Sequence, residues 1–107
     1  MLPEQPGNNN EPLHIDYHKI KKAAIILRAL NHKLRQQIIR LIDENKLLTV
    51  SEIHARLMLE QPVASQHLAI LRRTGILSTK RKGKFIYYSI DHTRVSAIEE
   101  FVKNLVG

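Results

Sequence analysis

Six cations, Arg72, Arg73, Lys80, Arg81, Lys82 and Lys84, stand in a stretch from Gln61 to Tyr88 that contains no aspartate or glutamate. Just before them runs Gln61-Pro62-Val63-Ala64-Ser65-Gln66-His67-Leu68-Ala69-Ile70-Leu71, which carries two carboxamides and a hydroxyl. Carboxamides pair with adenine N6 and N7, and a serine hydroxyl meets several base edges. Arginine and lysine hold phosphate oxygens. The chemistry on offer is therefore recognition of a nucleic-acid groove with a grip on its flanking backbone.

No comparable set of residues serves catalysis. The chain has no cysteine, which excludes disulfides, thiol redox sensing, cysteine nucleophiles and thiolate metal sites. A Ser/His/Asp order, a glycine-rich phosphate loop and paired carboxylates are all missing, so we expect no enzyme and no cofactor. A length of 107 residues fits one domain with a single modest core. The net charge of +7 favours an anionic partner. No apolar run reaches the roughly 18 to 20 residues of a membrane span. A signal peptide's layout is absent, and the expectation is a cytoplasmic protein.

The elements that must position these groups can be read from pattern. Residues 1–13 hold three of the four prolines and Asn8-Asn9-Asn10, so a disordered tail is expected there and a folded domain over 14–107. A first helix begins near Ile15, with Ile20, Ala23, Ala24, Leu27 and Leu30 on one stripe. Asn31 is expected to cap a second helix through about Glu44, with Leu34, Ile38, Leu41 and Ile42 inward and Asn45 as its stop. Thr49 and Glu52 have capping-box spacing and open a short helix to about Leu57, with Val50, Ile53 and Leu57 inward.

After a turn, the fourth helix spans 61–73 with proline in its first turn and Gly75 as its stop. Ala64, Leu68 and Leu71 recur on one face and should pack inward. Gln61, Pro62, Val63, Ser65, Gln66 and Ala69 are left for DNA, joined by the six cations. A hairpin is expected from 76–81 and 84–90 around Lys82-Gly83. Asp91 caps a last helix over about 92–106, carrying Val95, Ile98, Phe101, Val102 and Leu105. The fold class is mainly α with a β-hairpin wing: four helices, two strands and a helix, with a helix-turn-helix before the wing.

From Leu30 to Ile90 the sequence resembles the ArsR/SmtB family of winged-helix transcriptional repressors. The residues that carry the resemblance are Leu30–Arg35, the run Gln61–Leu77 with Ser65-x-His67-Leu68, Leu71 and Gly75, and the wing Arg81–Ile90 with Gly83 and Tyr87-Tyr88. The resemblance implies a homodimer built on the first and last helices. Ile20, Ala24, Leu27, Val95, Ile98, Phe101, Val102 and Leu105 are the expected interface. It also implies base contacts from Gln61, Pro62, Ser65 and Gln66 on a palindromic operator, with repression by operator occlusion until an inducer acts. The alternatives are a winged helix used for protein contact and a histidine-based metal-responsive repressor.

Departures from the family pattern limit what carries over. Met58 stands where the family usually has glycine, and a left-handed methionine costs roughly 1 kcal/mol, so a different turn is expected. Glu60 replaces a usual serine or asparagine cap. The region of the family's thiolate pair, Leu48–Ser51, holds no cysteine, and arsenic or cadmium chemistry does not transfer. Asp91-His92-Thr93-Arg94 lacks the histidine of the family's Asp-x-His, and Val102 to Gly107 hold no histidine or carboxylate, so the last-helix zinc site is absent. One looser ligand set remains, His14, Asp16 and His18 with His92 across a dimer, suited to zinc, nickel or cobalt. Among the other histidines, His32 is expected in the first turn of the second helix and His54 in solvent. His67 is expected to pack and hydrogen-bond locally rather than titrate. The inducing signal is not legible.

Overall fold

The computed structural model describes residues 11–107. The tail expected over 1–13 therefore lies, as far as residue 10, outside the described residues. Five helices and three short strands follow: α1 (Tyr17–Leu30), α2 (Lys33–Asn45), β1 (Leu48–Thr49), α3 (Val50–Arg56), α4 (Gln61–Arg73), β2 (Leu77–Lys82), β3 (Phe85–Ile90) and α5 (His92–Val106). The winged helix-turn-helix expected from the pattern is the fold observed.

The caps explain most element boundaries. Asp16 accepts from the Lys19 amide at 3.1 Å and starts α1. The cap of α2 is His32, not Asn31. Asn31 is consumed in ending α1, its N–H bonded to the Leu27 carbonyl at 2.9 Å. His32 is left in extended backbone with its Nδ1 accepting from Arg35 N–H at 3.4 Å. Asn45 is the last residue of α2, and the left-handed residue that ends it is Lys46, at φ 72°. The capping box of α3 is complete. The Thr49 hydroxyl accepts from the Glu52 amide at 3.2 Å, and the Glu52 carboxylate accepts from the Thr49 amide at 3.0 Å.

The core forms where these elements converge. Ile38 and Ile42 of α2, Leu48, Ile53 of α3, Leu68 and Leu71 of α4, and Ile76 and Leu77 make one buried cluster. Fully burying each such side chain contributes about 1.5–3 kcal/mol. The α5 helix supplies no buried residue. Its Val95 and Ile98 lean on the cluster half-buried, while Phe101 is 48% and Leu105 66% exposed. On α1 only Ala29 is buried; along its stripe Ala23, Ala24, Leu27 and Leu30 are half-buried and Ile20 is 53% exposed.

Strand β1 was not foreseen. Two residues carry no periodicity, and Thr49 had been assigned wholly to the α3 cap. The sheet order is β1-β3-β2, all antiparallel, with Leu48 opposite Tyr88 and Thr49 opposite Tyr87. The hairpin pairs Lys82 with Phe85, so its turn is Gly83-Lys84, one residue later than expected. Gly83 at φ 61° takes the first central position, where a tight primed turn needs a positive φ. Among the described residues no helix is long and apolar enough to cross a membrane.

A candidate nucleic-acid interface

Between α3 and α4 the chain turns within four residues, Leu57 to Glu60. Met58 keeps the left-handed conformation at φ 55°, so the different turn expected there does not occur. Backbone bonds hold it: Met58 N–H donates to the Ala55 carbonyl at 3.3 Å, and Leu59 N–H to the His54 carbonyl at 2.9 Å. The Met58 side chain is 91% exposed, so only backbone conformation opposes the turn. His54 is half-buried rather than in solvent, and its Nδ1 donates to the Leu59 carbonyl at 3.2 Å.

Helix α4 divides by face as its sequence dictates. Ala64, Leu68 and Leu71 are fully buried. Gln61, Pro62, Val63, Ser65, Gln66 and Ala69 are exposed, and so are Arg72 and Arg73 at its C-terminal end. Proline in the first turn of α4 removes an N–H that would have no helical partner. Glu60 occupies the cap position without a side-chain cap bond, which leaves its carboxylate at the mouth of this surface.

The wing carries its cations on strands too short and too polar to bury them. Lys80, Arg81 and Lys82 on β2, and Lys84 in the turn, are all exposed. Arg81 Nε donates to the Gly83 carbonyl at 3.2 Å, and the Lys84 ammonium lies 5.4 Å from the Phe85 ring centroid. A concavity joins the wing to the helix, lined by Ser65, Ala69, Arg72, Arg73 and Tyr88. Tyr88 was not among the expected contact residues. Its half-buried ring belongs to the core's margin, and only strand pairing brings it beside the exposed face of α4.

The other expected groups are placed as follows. Ala24, Leu27, Val95, Ile98 and Val102 are half-buried, and Ile20, Phe101 and Leu105 are exposed. Between α1 and α5 an open apolar groove is lined by Ala23, Ile26, Leu27, Ala97, Ile98 and Phe101, with Arg94 at its edge. His14, Asp16, His18 and His92 do not gather within the chain: among the described residues no three His, Asp or Glu side chains could hold a metal. Asp16 is spent as the α1 cap, and His92 Nε2 lies 3.5 Å from Asp43 of α2. His67 packs against the His32 ring, but its hydrogen bond goes to Arg35 of α2 and not to a neighbour in the chain as expected. Burial lowers its pKa, with the charges of His32 and Arg35 adding to the effect.

An exposed, hydrogen-bonding helix face thus stands beside a cationic hairpin. The profile of the bacterial regulatory protein arsR family matches residues 32–79. Transcriptional activator HlyU of Vibrio cholerae is 37% identical over 84 residues, 78% of this chain and 77% of that protein. The chain belongs to the ArsR family.

Transcriptional repressor PagR of Bacillus anthracis is 34% identical over 84 residues, covering 78% of this chain and 84% of that protein. The crystal structure of PagR superposes with a TM-score of 0.64 at 32% identity, covering 81% of this chain and 99% of that one. Reduced HlyU from Vibrio cholerae also gives 0.64, at 35% identity, covering 83% and 93%. This ArsR-family chain is thus a DNA-binding transcriptional regulator, and double-helical DNA is the partner its chemistry fits.

Proposed function

We propose that the chain is a homodimeric repressor that reads a palindromic operator with α4 and holds the flanking phosphates with its wing. One observation carries the reading: every base-reading and phosphate-binding candidate from Gln61 to Lys84 is exposed, while the alternate residues of α4 are fully buried. Gln61, Pro62, Val63, Ser65, Gln66 and Ala69 face base edges. Arg72, Arg73, Lys80, Arg81, Lys82 and Lys84 meet phosphates or a minor groove.

Dimerisation follows from surface that one chain leaves uncovered. The apolar groove between α1 and α5, with Ile20, Phe101 and Leu105 exposed beside it, fits a second copy placed by a twofold axis. Two α4 helices so related span half-sites one turn of duplex, ~10 bp, or a multiple apart. Repression by occlusion agrees with the name of the PagR relative, whereas HlyU is named an activator, so the direction of control is settled by transcription and not by likeness. With no cysteine, any inducer acts without thiol chemistry. No catalytic role and no cofactor belong to this reading, and it places the protein in the cytoplasm with the DNA.

A mobility shift with the region upstream of its own gene tests the proposal. We expect a retarded complex of two chains per duplex, outcompeting random DNA of equal length. Equal affinity for both fragments sinks a sequence-specific regulator. Run-off transcription from the same fragment then separates repression from activation.

A further inference from the structure

We infer that Arg35 is the positioning residue that fastens the recognition helix α4 to the α1–α2 corner, and that its hold requires an unprotonated Nδ1 on His67, so acid releases sequence-specific DNA binding. The inference rests on α4 being the reading helix.

Arg35 sits in the first turn of α2, and its side chain reaches two other elements. Nε donates to the Ala29 carbonyl at 2.6 Å, and Nη2 to the Arg28 carbonyl at 3.3 Å, both in the last turn of α1. Nη1 lies 3.3 Å from His67 Nδ1 on α4. His67 stands between the buried Ala64 and Leu68 and the exposed Ser65 and Gln66, so this bond adds to the packing of Ala64, Leu68 and Leu71 in restraining the rotation of α4 about its own axis. Since α1 borders the groove assigned to the second subunit, the same bond ties the reading face to the dimer.

The protonation requirement is chemical. A guanidinium has only donors, so the His67 Nδ1 it meets must be a lone pair. The Arg35 backbone amide is likewise a donor, and it points at His32 Nδ1 from 3.4 Å. Both imidazoles therefore act as acceptors toward one residue, with ring centroids 5.0 Å apart. A proton on the His67 Nδ1 sets N–H against N–H and adds a cation beside Arg35. The surroundings do not offset it. Arg28 of α1 and Arg73 of α4 line the adjoining cleft with Arg35, Ile25, Ala29 and Ile70, and no carboxylate is among them. Lys33 stands beside His32 in α2.

The sign follows. Burial and these charges lower the His67 pKa, so the folded, clasped state resists the proton. The stabilisation is complete above the ordinary imidazole value of 6.5 and is lost as pH falls through the lower folded value. Against the expectation that it only packs and bonds locally, His67 thus carries a long-range bond and a titration that matters. Non-specific binding should run the opposite way, because protonated histidines strengthen attraction to phosphate.

The test is fluorescence anisotropy of the full chain with its own upstream duplex and with a random duplex, from about pH 8 to about pH 5.5 at fixed ionic strength. Circular dichroism at each pH reports folding. In the wild type we expect specific affinity to fall by up to about tenfold per pH unit for each proton taken up, with random-duplex affinity level or rising. His67→Asn keeps an acceptor at the Nδ1 position and cannot titrate there, so its specific affinity should stay level across the range. Arg35→Gln should bind its site weakly already near neutral pH, with helicity retained.

A wild-type specific affinity that holds down to the acid end overturns the inference. So does a His67→Asn variant that keeps the wild-type pH profile. No preference for the upstream duplex at neutral pH instead overturns the role given to α4, which distinguishes the two failures.

Discussion

Arg94 Nε donates to the Thr74 carbonyl at 3.0 Å, which pins the first turn of α5 to the end of α4. The Arg94 side chain lies over Gly75, where a β-carbon would come within 3.2 Å of Nε. Gly75 also has φ 81°, a conformation that L side chains rarely adopt. Gly75→Ala should therefore destabilise by more than about 1 kcal/mol, through backbone strain and a displaced clasp. Arg94→Ala should cost less and leave the α4 end intact. Urea denaturation of both variants checks the order.

Met58 carries the opposite expectation. Its left-handed backbone has no compensating side-chain contact, since the side chain is almost fully exposed. Met58→Gly should stabilise the fold by about 0.5–1 kcal/mol and raise the denaturation midpoint without altering DNA preference. A loss of stability would mean that the methionine side chain has a role absent from the free chain.

The capping box gives a pH prediction. Hydrogen bonds from the Thr49 amide and hydroxyl hold the Glu52 carboxyl below its usual 4.5. A depressed carboxylate contributes stability that is present above 4.5 and lost as pH falls through the lower folded value. Glu52→Gln should remove that acid dependence, and Thr49→Ala should cost about 1 kcal/mol at neutral pH. Denaturation at neutral and acid pH measures both.

Base reading and phosphate binding should separate by mutation. Gln66→Ala is expected to change which sequence is preferred, while Arg81→Glu with Lys84→Glu weakens all DNA alike. Each phosphate contact removed should lower the slope of log affinity against log salt by about 0.9. Titrations at several salt concentrations decide between them. If neither change alters DNA binding and a protein partner is lost, the wing serves protein contact.

Assembly has its own test. Phe101→Glu places a charge beside the groove between α1 and α5, and sedimentation should then show monomers with helicity preserved. Unchanged dimers would move the interface elsewhere.

Much of this was legible in the sequence because it depended on local spacing. The face division of α4 needs only residues three and four apart, and the Thr49–Glu52 box is contained in four residues. What escaped depended on the chain meeting itself. His32 replaced Asn31 as a cap because the end of α1 had already taken Asn31. The pairing of Leu48 with Tyr88 has no signature in two residues. The Arg35–His67 contact joins positions 32 apart, and no periodic pattern marks it.

Strand β1 has a mechanical consequence. Thr49 bonds across to the hairpin through its place opposite Tyr87 while its hydroxyl starts α3. We expect the hairpin and the two-helix reader consequently to move together as one jaw. A duplex whose groove width departs from the jaw's fixed span cannot be accommodated by swinging the arm alone. Operators should accordingly be discriminated by their bendability as well as by their letters, even at base pairs that no side chain touches.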